Sequence, residues 1–261
     1  MTAVERRLTT APARGHGDVR SFFDRSAAEY VEQHGNPSRL LRYRLSLLRR
    51  AARFQPGDVV LEIGCGDGAH LLALAGELGR GLGIDLSTSM VERARARAAA
   101  QGLGQRIRFA ADLAERLSSV ADASVDVVMC TGSLEHMLDQ PAVARAAARV
   151  LRPGGRFVGL TLNGGYVWYR RIAPWLGLDV CHLATDHFLR REELKALLTA
   201  AGFSAVAITP WTFIPRGDMP PSLARLLAVL DVAGRLTRLP SLRGGLRFRA
   251  SLGGGEPAGH E

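Results

Sequence analysis

The chain has 261 residues, 47% hydrophobic and 23% charged, which excludes wholesale disorder and suits one large α/β domain with insertions. Its formal charge is +9, carried almost wholly by arginine, since Lys195 is the single lysine among 34 basic residues. Residues 1–56 hold 11 basic and 5 acidic groups, 57–215 hold 16 and 16, and 216–261 hold 7 and 4, so the excess sits at both ends and argues only weakly for nucleic acid.

Cys65, Cys130 and Cys181 are too few and too scattered for a disulfide framework or a zinc site. No apolar run nears the roughly 18 residues of a membrane span, and no apolar signal segment opens the chain, so a cytoplasmic location is expected.

Residues 1–17 read as a flexible terminus and 18–56 as an N-terminal helical cap. A helical pattern runs from Asp18 through Phe22, Phe23, Ala27, Tyr30 and Val31, and breaks at Gly35-Asn36-Pro37. Ser38 is the expected cap of a second helix. In it Leu41, Leu45, Leu48 and Ala52 share one face, and Arg39, Arg42, Arg49, Arg50 and Arg53 lie opposite.

After Pro56-Gly57, strands and helices alternate. Strands are expected at 59–63, 81–85, 107–111, 125–130 and 156–162, and helices at 69–78, 87–100 (capped by Ser87) and 141–151. An aromatic insertion, 163–188, precedes a helix at 190–201 and a strand at 203–208. A proline-rich insertion, 210–242, carries an apolar helix around Leu223–Leu230 and precedes a last strand at 246–252 and a flexible tail, 253–261. Alternating units of this length imply a parallel sheet covered on both faces over 57–252.

The strongest site signal is Glu62-Ile63-Gly64-Cys65-Gly66-Asp67-Gly68 at a strand-to-helix junction. Glycines there let backbone approach a ligand, at the strand end where open α/β sheets place cofactors. A carboxylate two residues before the first glycine disfavours a pyrophosphate and favours a cationic sulfonium ligand with a free amino group. Asp85 ends the second strand, 19 residues after Gly66, the spacing at which an acid meets ribose hydroxyls. Asp112 follows the third strand, where a carboxylate can accept from an adenine amino group, and Leu86 and Leu113 are placed to sandwich the ring. Asp112 as a mere cap for a short helix after it is the competing reading. Cys65 reads as a small packed residue of the loop and Cys130 as core.

These motifs, together with Asp126-Val127-Val128-Met129-Cys130 and Leu151-Arg152-Pro153-Gly154-Gly155, resemble the class I S-adenosylmethionine-dependent methyltransferases over roughly residues 20–210. Ser133-Leu134-Glu135-His136, His187-Phe188 and Ala201-Gly202-Phe203 are similar to the ubiquinone and menaquinone biosynthesis branch. The resemblance implies an α/β, Rossmann-like, seven-stranded, mostly parallel sheet with the last strand antiparallel and helices on both faces, here with an N-terminal helical extension and late insertions. It implies S-adenosyl-L-methionine as cofactor, held by Tyr30, Glu62, Gly64, Cys65, Gly66, Asp85, Leu86, Asp112, Leu113 and Thr131.

The activated methyl needs an aligned acceptor more than a protein nucleophile. A phenol or enol acceptor also benefits from a base, for which His136 is the candidate with Glu135 as its partner. His182, Asp186 and His187 are candidates to line the acceptor pocket; no metal is proposed. The expected acceptor is a small, apolar or aromatic molecule methylated on oxygen, or next on carbon, with the 166–175 aromatics as a lid, a membrane contact or a helix packed on the sheet. A nucleic-acid methyltransferase and a non-catalytic cofactor-binding protein are the rivals. The first lacks an RNA-binding module, and the place of the Asn/Asp-Pro-Pro-aromatic motif reads Cys130-Thr131-Gly132-Ser133.

Overall fold

The computed structural model describes residues 10–27, 37–213 and 221–253. Its centre is a seven-stranded sheet in the order β3-β2-β1-β4-β5-β7-β6. The strands are β1 (Val59–Ile63), β2 (Arg80–Asp85), β3 (Ile107–Ala111), β4 (Val125–Thr131), β5 (Leu151–Leu162), β6 (Phe203–Trp211) and β7 (Gly245–Leu252). β1 to β5 pair in parallel, and β7 is antiparallel to both β5 and β6. The helices are α1 (His16–Ser26), α2 (Pro37–Ala52), α3 (Ala69–Leu74), α4 (Thr88–Ala100), α5 (Gln140–Val150), the single turn α6 (Ala173–Trp175), α7 (Arg191–Ala200) and α8 (Pro221–Thr237).

Period-two alternation divides the core between the faces. Val60, Val127, Met129, Val158 and Leu160 meet the α2, α3 and α4 side chains Leu48, Leu71 and Ala94. Leu61, Ile63, Val128, Cys130 and Phe157 meet Val143 and Ala147 of α5 and Leu194 and Leu198 of α7. Helices cover both faces because the central strands are apolar on both.

Several boundaries differ from expectation. Pro37 opens α2, so Ser38 lies in the first turn and is not its cap; proline's fixed φ and missing N–H suit that opening position. β5 begins at Leu151, because Pro153-Gly154-Gly155 is carried as an irregularity in the pairing with β4. α3 stops at Leu74 and runs on as a 3₁₀ turn over Ala75–Glu77. Ser87 does cap α4, its hydroxyl accepting the Met90 amide at 3.1 Å.

The two insertions share a root. The Asn163 side-chain amide donates to the carbonyls of Pro240 and Arg243, both at 2.9 Å, and its own amide donates to Gly244. Tyr166, Trp168, Tyr169 and Ala173 then pack with Leu227 of α8 into a separate apolar cluster. Asp231 of α8 accepts from Arg243 at 2.9 Å and Thr212 at 2.8 Å, which fixes the helix to the sheet edge. The connection from β6 to β7 spans 212–244, because both strands extend past their expected ends.

Candidate active site

The loop after β1 needs its glycines. Gly64 has φ +66°, and a Cβ there would stand 2.5 Å from the Ser133 Cβ. Gly66 has φ +51°, but a Cβ there meets nothing within 4 Å, because it faces a cavity. The Gly66 amide donates to Asp85 Oδ2 at 2.8 Å and the Ser87 amide to Oδ1 at 2.9 Å, so Asp85 ties the ends of β1 and β2 together. Burial pushes the Asp85 carboxyl above the usual range, and the two amides restrain that shift.

The cavity has a volume of about 500 Å³ and is lined by Gly64, Cys65, Gly66, Asp85, Leu86, Asp112, Leu113, Thr131 and His136. Its wall brings Asp85 and Asp112, which close β2 and follow β3, together with Thr131 and His136, which close and follow β4. Asp112 holds its own loop, accepting from the Leu113 amide and from the amide and hydroxyl of Ser119 at 2.7–2.8 Å. No helix directly follows Asp112, so it caps none; its carboxylate ties a turn together and also lines the cavity. Cys65 and Cys130 are buried; burial drives the first thiol well above its ordinary value and the second to about 12, so neither is a thiolate nucleophile.

Glu62 stands behind the cavity wall. It is fully buried, and Oε1 is 2.8 Å from His70 Nδ1, with His70 itself on the wall. Among the described residues its Oε2 has no hydrogen-bond partner, nor has the Thr131 hydroxyl. Arg44 of α2 is a site residue that the sequence reading missed. It lines the cavity beside Gly132, its Nε is buried without a partner, and no carboxylate pairs with it among the described residues. The overlooked signal is its position three after Leu41 and four before Leu48, which puts a cation on the apolar face of α2.

His136 lies in a 3₁₀ turn after β4. The carboxylate that meets it is Asp186, at 2.7 Å from Nδ1, and not Glu135. Glu135 is buried on the other side of the turn and accepts from the Thr161 hydroxyl at 3.0 Å. The reason is geometric: adjacent residues of a tight turn point apart, whereas the insertion brings Asp186 across. Asp186 is fixed in turn by the His182 and Leu183 amides on Oδ2, at 2.7 and 3.0 Å. Burial alone would lower the His136 pKa, but Asp186 raises it above the ordinary value; the same bond holds Asp186 below its own. The His182 ring lies 5.7 Å from that of His136, while the His187 amide donates to the Glu135 carbonyl. Among the described residues no cluster of three or more His, Cys, Asp or Glu could hold a metal.

α1 covers this cavity with Val19 and Phe23. The Phe23 ring lies 5.3 Å from His136, and Asp24 accepts from the Ser87 hydroxyl at 2.5 Å. His16 Nε2 meets Glu115 Oε1 at 3.0 Å beyond β3. Tyr30, the other expected cofactor contact, lies outside the described residues.

A methyltransferase-domain profile matches residues 60–155, the span holding the glycine loop, Asp85, Asp112 and His136. The ubiquinone biosynthesis O-methyltransferase of Idiomarina loihiensis is 31% identical over 173 residues, covering 61% of this chain and 67% of that protein. The 27-O-demethylrifamycin SV methyltransferase of Amycolatopsis mediterranei is 46% identical over 102 residues, covering 38% and 37%. In fold, the chain resembles the geranyl diphosphate C-methyltransferase of Streptomyces coelicolor, with a TM-score of 0.66 at 14% identity over 92% of this chain and 99% of that one. The chain belongs to the class I S-adenosylmethionine-dependent methyltransferases, and it is an enzyme of that family.

Its cofactor is S-adenosylmethionine, and the cavity fits that molecule. The Thr131 hydroxyl and the Arg44 Nε, unpartnered among the described residues, with the open space at Gly66, supply donor, cation and room, and Glu62 lies behind the wall with one oxygen unpartnered.

Proposed function

We propose that this enzyme methylates an oxygen of a small, largely apolar acceptor, with carbon as the next choice, and that His136 is its base. The observation that carries this reading is the His136–Asp186 pair, whose imidazole lines the same cavity as Asp85 and Asp112. The cofactor, when bound, supplies a methyl group already activated by its sulfonium. Asp85 would take the ribose hydroxyls, and Asp112 with Leu86 and Leu113 the adenine. Arg44 would take the carboxylate of the amino-acid moiety. Thr131 and the Gly64 loop would border that moiety, with Glu62 beneath them.

The remaining task is deprotonation of the acceptor. Asp186 fixes the His136 ring and binds Nδ1, which leaves Nε2 to take a phenol or enol proton. Phe23 and Leu138 give the surrounding wall an apolar character that excludes water. The ubiquinone-biosynthesis and rifamycin relatives named above support an oxygen acceptor, and the geranyl diphosphate enzyme keeps carbon in second place.

The test is incubation of the purified chain and S-adenosylmethionine with small-molecule extract of its own organism, followed by mass spectrometry. A metabolite gaining one methyl on oxygen, absent with His136→Ala, supports the reading. Methyl transfer confined to added RNA would overturn it.

A further inference from the structure

We infer that the face built by the two insertions docks on an anionic membrane surface. Every large hydrophobic side chain left exposed among the described residues lies in 163–188 or 212–244. Trp175 is 84% exposed, Leu236 76% and Val229 65%. On α8 the spacing of Leu226, Val229, Val232 and Leu236 keeps them on one face. The opposite face, with Leu223, Leu227 and Leu230, packs on the Tyr166–Ala173 segment. A helix apolar on both faces is one that expects cover on both.

The charges choose the cover. Arg170, Arg171, Arg225, Arg235 and Arg238 are exposed on the same two segments, and no carboxylate pairs with them among the described residues. Asp231 is buried against Arg243, and Asp179, which accepts the Thr10 amide, is the exposed acid of these segments among the described residues. A two-fold copy of the chain would bring two such sets of arginines into one interface with little acid to relieve them. Aliphatic side chains and a tryptophan ringed by arginine suit a headgroup layer with acidic lipids. No described helix is long and apolar enough to cross a membrane, so the contact is peripheral. The inference is independent of which acceptor is methylated.

The experiment is flotation of the full chain with phosphatidylcholine vesicles, with and without phosphatidylglycerol, joined to tryptophan emission. Trp168 and Trp211 are buried, so a blue shift reports Trp175. Flotation with the phosphatidylglycerol vesicles, a blue shift, and weakening by salt are expected. Val229→Glu and Leu236→Glu, both on exposed positions, should each weaken flotation about tenfold or more. A thermal shift by S-adenosylhomocysteine that matches wild type would show the variants folded and the cofactor site intact. The inference is overturned by absence of flotation, by equal binding to both vesicles, or by flotation indifferent to the substitutions. A wild-type dimer in light scattering that Val229→Glu dissociates would also overturn it.

Discussion

The two halves of the cavity are built differently. The cofactor half is made from the carboxyl ends of adjacent strands, and its central contacts are backbone amides on Asp85. The part around His136, the acceptor side in the proposed function, joins segments far apart in sequence, as in the pair of His136 with Asp186, 50 residues on. The first half follows from the sheet itself, so any chain with this strand order has a version of it. The second depends on how the insertion brings Asp186 to His136, and in the proposed function that is where the acceptor would be chosen.

If the division is real, substitutions should separate binding from turnover. His136→Ala should cost the most, lowering kcat about 10²- to 10³-fold while calorimetric S-adenosylmethionine affinity stays near wild type. Unchanged turnover would make the residue structural. Asp85→Ala should weaken cofactor binding well over tenfold, through loss of the ribose contact and release of the Gly66 loop. Unchanged affinity would break the assignment of that end.

Arg44→Gln should weaken S-adenosylhomocysteine about tenfold but leave 5′-methylthioadenosine, which lacks the amino-acid moiety, unaffected. If both ligands bind as to wild type, Arg44 faces the acceptor and belongs to the other half. Asp186→Asn has a smaller effect at neutral pH, visible in the pH profile. Activity requires neutral His136 and should rise through a midpoint above the ordinary 6.5, and Asp186→Asn should move that midpoint down.

The same pair sets a stability window. The raised His136 pKa contributes stability fully present below 6.5 and lost as pH climbs through the folded value. The lowered Asp186 pKa contributes stability present above 3.8 and lost as pH falls through its folded value. Melting of wild type against Asp186→Asn should therefore differ most between those limits and narrow as pH rises through the folded His136 value, leaving the share due to the His182 and Leu183 amides. A constant difference would show that Asp186 acts through the His182 and Leu183 amides alone.

The cofactor half was legible because strand ends are marked locally. Glycines, an acid and a β-branched run place the loop, and Asp85 and Asp112 fall in register with it. All seven strands were found for the same reason. The acceptor half was legible only by composition. His136 was placed by its position after β4, but its partner was assigned to the adjacent Glu135, since sequence proximity says nothing of which way a tight turn aims its side chains. Arg44 is not legible from the apolar stripe of α2, because a lone cation within such a stripe carries no sign of the cavity it lines.

The position of β7 between β5 and β6 has a consequence for synthesis. Among the described residues β6 pairs with β7 alone, yet leaves the ribosome 33 residues earlier, with the whole 212–244 excursion between them. Until residues 245–252 emerge, β5 presents an open edge and β6 has no place in the sheet, so a nascent chain halted within α8 exposes two unpaired edges at once. The Asn163 bonds to Pro240 and Arg243 form just before β7 on the chain, and they set the register of the strand that closes both edges.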